Sequence, residues 1–249
     1  MSGNYVMRSD SGFEKLNLPS VGIVKTTPKI SEEQLFSHKK CYIGISLDNP
    51  GFYGKSLQAL LLWGLGNFNQ VLVVAGDYLR RFNEQIFSGL DHDEAAKAAH
   101  EFGDIFLQKT NKFFNQIPSG RLCLIRWEPC LDSKEYKQAE AVLGDLFKSD
   151  DSFRASIQRD AWSFIKRQKK RRHKLAVSEE KAIELSCKYL LEEITVFSAL
   201  SEQGWKVELY PGPELSVLVD IAKGKYQGIP EGLKDRINVE LQITRNKAD

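Results

Sequence analysis

Two periods of apolar residues alternate along the chain. The stretch 40–46, KCYIGIS, and the run 71–75, VLVVA, read as strands, the second continuous enough for an inner parallel strand covered on both faces. Residues 121–127 read as a further strand, 205–209 and 237–243 as later ones, and 21–25 as a short one near the start. Between them the period lengthens to that of a helix. Over 52–68, Leu57, Leu60, Leu61 and Trp63 give an apolar face, and 77–87, 93–115, 133–147, 151–174 and 178–198 also read as helices. Ser31-Glu-Glu-Gln34 has capping-box spacing and starts a short helix. Strands separated by helices require right-handed crossovers. The expected fold is α/β: a single Rossmann-like domain with a mainly parallel sheet flanked by helices, over 31–249, behind a loose arm at 1–30.

Composition narrows the function classes without choosing one. The 249 residues are 42% hydrophobic and 27% charged with a net charge of +2, so any polyanion must be met by a local patch rather than by overall charge. Cys41, Cys123, Cys130 and Cys187 form no C-x-x-C pair and have no tight spacing with histidine, which argues for buried free thiols and against zinc. No segment has the apolar length of a membrane span, and a cytoplasmic chain is expected. His38, His92, His100 and His173 lie in polar surroundings and read as surface residues.

Familiar catalytic signatures fail. The cluster GLGNFN at 64–69 lacks a third glycine and precedes a strand instead of a helix, so helix C-capping explains it better than phosphate binding. There is no Walker loop, hence no cradle for ATP. Gly44-Ile-Ser-Leu-Asp48 misses the nucleophile elbow because Asp48 stands where the second glycine belongs, and no histidine follows a strand to complete a triad.

Three segments survive. Ser46 ends a strand, where ligands bind in open parallel sheets; it either caps the following helix or acts as a nucleophile, and Asp48 and Asn49 are the better caps. Tyr189 and Glu193, four apart in CKYLLEEITVF, share a helix face, with Glu192 pointing elsewhere. Such a pair can bind an ammonium group or pass a proton once burial raises the carboxyl pKa, or it can be a solvated Glu beside a half-buried Tyr. Tyr210 ends the strand before the Pro211-Gly-Pro213 turn. Separately, Lys166, Arg167, Lys169, Lys170, Arg171, Arg172 and Lys174 crowd a helix end, more densely than dipole compensation needs, and suit phosphate.

Taken together, these segments resemble the tRNA-dependent cyclodipeptide synthases, whose fold is similar to the catalytic domains of tyrosyl- and tryptophanyl-tRNA synthetases without their ATP signatures. The resemblance spans about residues 40–245 and rests on Gly44-Ile45-Ser46, the Tyr189-x-x-x-Glu193 helix, Tyr210, and Trp63 and Phe68 after the serine. Tyr210-Pro211 places the chain with the family's Tyr-Pro group, while Asn49 is the residue of the other group. The resemblance implies a Ser46 aminoacyl-enzyme, an α-ammonium held by Tyr189 and Glu193, and Tyr210 hydrogen-bonded to Ser46. It further implies substrate contacts at Gly44, Asn49 and Pro211, and a first aminoacyl pocket lined by Tyr42, Gly44, Val74, Gly76, Trp127 and Val196, with Trp127 favouring a small apolar side chain. The partners implied are two aminoacyl-tRNAs, with no cofactor, no ATP and no membrane, acting on a monomer. The family's basic patch on the helix after its second strand is reduced here to Lys109 and Lys112, so the 166–174 cluster is expected to take over part of the tRNA contact. A non-catalytic tRNA-binding protein and an unusual serine hydrolase are the competing readings.

Overall fold

The computed structural model describes residues 18–118, 120–171 and 174–244. Its strands are β1 (Ser20–Thr27), β2 (Lys40–Ile45), β3 (Gln70–Ala75), β4 (Leu122–Arg126), β5 (Val207–Tyr210) and β6 (Ile237–Thr244). Among the described residues they form one sheet in the order β1-β6-β5-β2-β3-β4, parallel except for β1, which runs antiparallel to β6. Of the stretch expected as a loose arm, residues 1–17 lie outside the described residues and Ser20–Thr27 belong to the sheet edge.

The helices are α1 (Glu32–Ser37), α2 (Gly54–Asn67), α3 (Arg81–Ser88), α4 (His92–Phe114), α5 (Glu128–Leu131), α6 (Lys134–Ser149), α7 (Asp151–Lys170), α8 (Glu179–Glu202), α9 (Ser216–Ala222) and α10 (Glu231–Lys234). Strand alternation sorts the core into two layers. Cys41, Ile43, Ile45, Val71, Val73, Val207 and Leu209 face α2 and α4, whereas Tyr42, Leu72 and Val74 face α8. Among the described residues no helix is long and apolar enough to cross a membrane.

Helix α8 positions the site, and tertiary burial explains why it stays helical. Its run Ile194-Thr-Val-Phe-Ser-Ala-Leu200 contains three β-branched residues, each a few tenths of a kcal/mol worse than alanine in a helix. Ile194 and Val196 are fully buried, and burial stabilises such side chains by about 1.5–3 kcal/mol each, so packing wins. Thr195 returns its hydroxyl to the Leu191 carbonyl at 2.6 Å. At the start, Ser178 accepts from the Lys181 amide at 3.2 Å, with Glu179 and Glu180 in the positive first turn.

Three sequence expectations are corrected. Cys123 is exposed, because β4 is an edge strand; Cys41, Cys130 and Cys187 are buried and all four are free. The glycines of 64–69 do not cap α2. The cap is Phe68 in extended conformation, its amide donating to the Gly64 carbonyl at 2.8 Å, while Gly64 sits inside the helix. A Cβ at Gly64 would lie 3.3 Å from both Leu209 and Val71, so this glycine serves close helix–sheet approach. The histidines are not uniformly at the surface either: His38 and His100 are half-buried, His92 is exposed, and His173 lies outside the described residues.

Candidate active site at the carboxyl end of the sheet

Ser46 leaves β2 at the centre of the sheet, flanked by β5 and β3, and is half-buried. Its backbone is fixed on both sides. The Gly76 amide donates to the Ile45 carbonyl at 2.9 Å, carrying the β2–β3 pairing to the strand exit. The Asn49 amide donates to the Ser46 carbonyl at 3.0 Å, and Asn49 Oδ1 accepts from the Gly51 amide at 2.9 Å, capping the 3₁₀ turn Pro50–Phe52. Asn49 therefore caps this short turn and not the helix expected from the sequence: α2 begins at Gly54, with Tyr53 at its N-cap and no side-chain cap. Asp48 caps neither; it pairs with Arg80 and accepts from Asn83 at 3.0 Å.

The same loop packs on the end of β5. The Phe52 and Tyr210 rings lie 5.8 Å apart, and a Cβ on Gly51 would be 3.8 Å from Pro211. The Asn49 side chain hydrogen-bonds the Tyr210 phenol. Since Asn49 Oδ1 already serves Gly51, its amide nitrogen is the group left to meet Tyr210.

Glu193 and Tyr189 come down from α8. Phe197, one turn after Glu193 on the same face, approaches within 3.8 Å of where a Gly44 Cβ would be. Glu193 stands one helical turn, about 5.4 Å, before Phe197 on that face of α8. The Phe82 ring meets Tyr189 edge-on at 6.3 Å.

Electrostatics bind these groups into one cluster. The Glu193 carboxyl is pushed up to about 8, first by burial and then by the Glu208 carboxylate, with Arg236 opposing. Tyr189 is raised well above the ordinary phenol range by burial, Glu193 and Tyr210, and Arg80 opposes. Tyr210 is raised to about 12 by burial and Glu193, against the Asn49 hydrogen bond and Arg167. A carboxyl that is protonated at neutrality and ionises near pH 8 stands beside two phenols that stay protonated. Such a set can hold an ammonium and exchange a proton with it.

The expected pocket residues also gather. Tyr42, Val74, Trp127 and Val196 are buried in one core cluster below Ser46. Trp127 lies 4.0 Å from where a Gly76 Cβ would be, and its orientation is fixed by its backbone amide to Asp77 Oδ1 at 3.2 Å and its indole N–H to Glu192 Oε1 at 3.0 Å. Glu192 forms a bidentate pair with Arg81 and also acts electrostatically on Tyr189. The sequence reading missed a charged set that contacts this pocket: Glu208, Arg236 and Glu214. The signal was present in Val207-Glu-Leu-Tyr210, whose alternation turns Glu208 inward.

Along α7, Lys166, Arg167, Lys169, Lys170 and Arg171 are exposed, as is Lys174 beyond it, and Arg172 lies outside the described residues. Lys166 lies 5.1 Å from the Trp162 ring centroid and Lys169 pairs with Glu179. Arg167 acts electrostatically on Tyr210, so the basic helix end reaches towards the cluster. On the opposite side of the Ser46 loop is an open hollow of about 490 Å³ lined by Leu47, Tyr53, Phe102, Phe106 and Lys109 among others.

A comparison with protein families matches the cyclodipeptide synthase model to residues 24–202, most of the chain. The chain belongs to the cyclodipeptide synthase family. Members of this family are tRNA-dependent cyclodipeptide synthases, and thus aminoacyltransferases. Among solved structures, a Fluoribacter dumoffii member is 19% identical with a TM-score of 0.74, over 90% of this chain and 98% of its own. A Mycobacterium tuberculosis protein is 18% identical with a TM-score of 0.69, over 93% of this chain and 99% of its own; its structure is described as demonstrating that cyclodipeptide synthetases are related to type I tRNA-synthetases. The synthase from Candidatus Glomeribacter gigasporarum, solved bound to Phe-tRNAPhe, is 16% identical with a TM-score of 0.62, over 84% of this chain and 89% of its own. At these identities the likeness shows a shared synthetase-like Rossmann fold. A comparison with curated proteins finds no match.

Proposed function

We propose that the chain joins two aminoacyl groups, each delivered by a tRNA, into a cyclic dipeptide through an ester on Ser46. The observation that carries this reading is the coupled cluster of Tyr189, Glu193 and Tyr210 at the exit of β2, with the loop following Ser46 packed on Tyr210 and Pro211. The Ser46 hydroxyl attacks the first aminoacyl ester; the bond to the ribose oxygen breaks, and the departing tRNA hydroxyl takes the proton. The amine of the Ser46-bound residue then attacks the second aminoacyl-tRNA, giving a dipeptidyl ester and a second free tRNA. Finally the terminal amine attacks the Ser46 ester, closes the ring and returns the serine hydroxyl.

Each amine must be neutral when it attacks. An α-amino group ionises near 7.7–8.0 in model peptides and Glu193 near 8, so proton transfer between them is close to thermoneutral. Glu193 and Tyr189 hold the ammonium, and Glu193 accepts its proton. The Asn49–Tyr210 hydrogen bond keeps Tyr210 over the serine loop. Because the ester arrives activated, the reaction needs no ATP, and the chain acts as a cytoplasmic monomer. Trp127 standing against Gly76 shortens the first pocket and favours a small apolar side chain. The aromatic hollow with Lys109 suits the terminal adenosine of the tRNA by stacking and charge.

Incubation with a mixture of charged tRNAs and mass analysis is expected to yield cyclic dipeptides. RNA binding without product would instead support the non-catalytic reading, and labelling of Ser46 by a fluorophosphonate would support a hydrolase. The basic helix end gives a separate expectation. Replacing Lys166, Arg167, Lys170 and Arg171 by glutamine should weaken aminoacyl-tRNA binding and lower the slope of log affinity against log salt, by up to about 0.7–0.9 for each phosphate that is no longer neutralised. An unchanged slope would place the tRNA elsewhere.

A further inference from the structure

Successive peptide planes at the exit of β2 are each held by the carbonyl. The Ile45 carbonyl accepts from the Gly76 amide at 2.9 Å, the Ser46 carbonyl from the Asn49 amide at 3.0 Å, and the Leu47 carbonyl from the Tyr53 hydroxyl at 2.6 Å. The second of these bonds closes a turn over 46–49, a pairing that leaves the amides of its two central residues unused. Neither the Leu47 nor the Asp48 amide has a hydrogen-bond partner among the described residues, although Leu47 is only 3% exposed. An amide withdrawn from water without an acceptor is uncommon in a native fold.

Peptide geometry gives the direction of the second amide. The bond between Leu47 and Asp48 is trans, so the Asp48 N–H points opposite to the Leu47 carbonyl. That carbonyl is drawn to Tyr53, whose ring meets Phe106 edge-on at 5.7 Å in the layer of α2 and α4. The Asp48 N–H therefore faces away from that layer. Strand alternation carries the Ser46 side chain to the same side: Ile45 packs in the α2 and α4 layer, whereas a Cβ on Gly44 would meet Phe197 of α8 at 3.8 Å. Side chains anchor the turn as well. The Asp48 carboxylate pairs with Arg80 and accepts from Asn83 at 3.0 Å, and Arg80 stacks on the Phe102 ring at 4.1 Å. Arg80 thereby offsets the Asp48 charge, which would otherwise oppose a second negative charge nearby. Burial pushes the Tyr53 phenol up, so its hydroxyl remains a donor through neutrality.

We propose that the Leu47 and Asp48 amides form the oxyanion hole of this enzyme, and that Tyr53 is the positioning residue that aims the Asp48 amide. When the Ser46 oxygen bonds to the aminoacyl carbonyl carbon, the carbonyl π pair moves onto its oxygen, and the two N–H groups receive that charge. Collapse returns the pair to the carbon, breaks the bond to the ribose oxygen and sends the serine proton to the leaving hydroxyl. The amide that follows the nucleophile plays this part in α/β-hydrolases, whose elbow this turn does not share. Donors already fixed in place need no reorganisation as the charge develops. The inference rests on the proposed Ser46 ester and adds the groups that lower the barrier to forming it.

Tyr53→Phe keeps the ring against Phe106 and in the hollow but releases the Leu47 carbonyl. In a single turnover with radiolabelled aminoacyl-tRNA, Ser46 labelling is expected to slow about 10- to 100-fold, with the dissociation constant within about twofold of wild type. A role confined to bracing the loop or stacking the adenosine would move unfolding temperature or affinity and spare the rate. Replacing the Asp48 amide N–H by an ester oxygen, with malic acid incorporated at that position, removes the donor itself and should slow labelling by about 10²–10³-fold. An unchanged labelling rate in either protein, or a loss of affinity in Tyr53→Phe as large as the loss of rate, would overturn the inference and leave the Ser46 ester standing. A wild type that makes cyclic dipeptide yet never carries label would overturn both.

Discussion

Ser46→Ala is expected to abolish cyclic dipeptide formation, by at least about 10³-fold, while the protein stays folded and still binds aminoacyl-tRNA. The stability half follows from the loop geometry. Backbone bonds hold Ser46: the Asn49 amide to its carbonyl, and the Gly76 amide to the preceding Ile45 carbonyl. The turn beyond is capped by Asn49, and the Tyr53 hydroxyl ties down the Leu47 carbonyl at 2.6 Å. None of these bonds uses the serine hydroxyl, so its loss is expected to cost less than about 1 kcal/mol. The activity half follows because no other hydroxyl shares its position: Tyr210 is held near pKa 12 and meets Asn49, and Tyr189 is raised further still. The check is a radiolabelled aminoacyl group carried through denaturation and gel separation. The wild type should retain label and the variant none. Label retained on Ser46→Ala would move the nucleophile elsewhere, and equal cyclic dipeptide yields would end the covalent reading.

Legibility from sequence followed the range of the forces involved. β2, β3 and α8 could be read because their signals are local: a period of two, a continuous apolar run, and a 3.6 period opened by Ser178. α9 could not. Its Ser-Val-Leu-Val-Asp-Ile-Ala reads equally as a strand, and its first turn is capped from α7, where Asp160 accepts from the Val217 amide at 2.9 Å, a partner 57 residues away. The catalytic candidates were legible because each stands at an element end or on one helix face. Their electrostatic coupling was not, since the lift on Glu193 comes from burial and from Glu208, which pairs through Arg236 across two strands. Asn49 shows both sides. Its capping tendency was readable from residue type, but not that it serves a separate turn before α2, and its bond to Tyr210 depends on β5 arriving beside β2 through the sheet order.

Glu193→Gln should move activity and stability in opposite directions. For activity, removing the proton acceptor is expected to lower kcat/KM by about 10²–10⁴-fold at pH 8. Below about pH 8 the wild-type carboxyl is protonated and must ionise before it can take the amine proton, so kcat/KM should rise towards pH 8, close to tenfold per unit at the acid end. The glutamine variant should lack this limb. For stability, the folded value of about 8 lies above the ordinary carboxyl value of 4.5, so between those limits the folded state holds a proton that the unfolded chain has released. Stabilisation from this group is full below about pH 4.5 and is lost as pH rises through 8, on the order of a few kcal/mol. Glutamine never ionises, and the variant should therefore unfold at a higher temperature than wild type at pH 9 while matching it near pH 5. A bound ammonium reverses the cost of ionising Glu193, so aminoacyl binding at pH 7 should release protons, detectable calorimetrically in buffers of different ionisation enthalpy. A stability curve that is the same for both proteins from pH 5 to 9 would mean that Glu193 ionises normally, and the proton-acceptor role would fall with it.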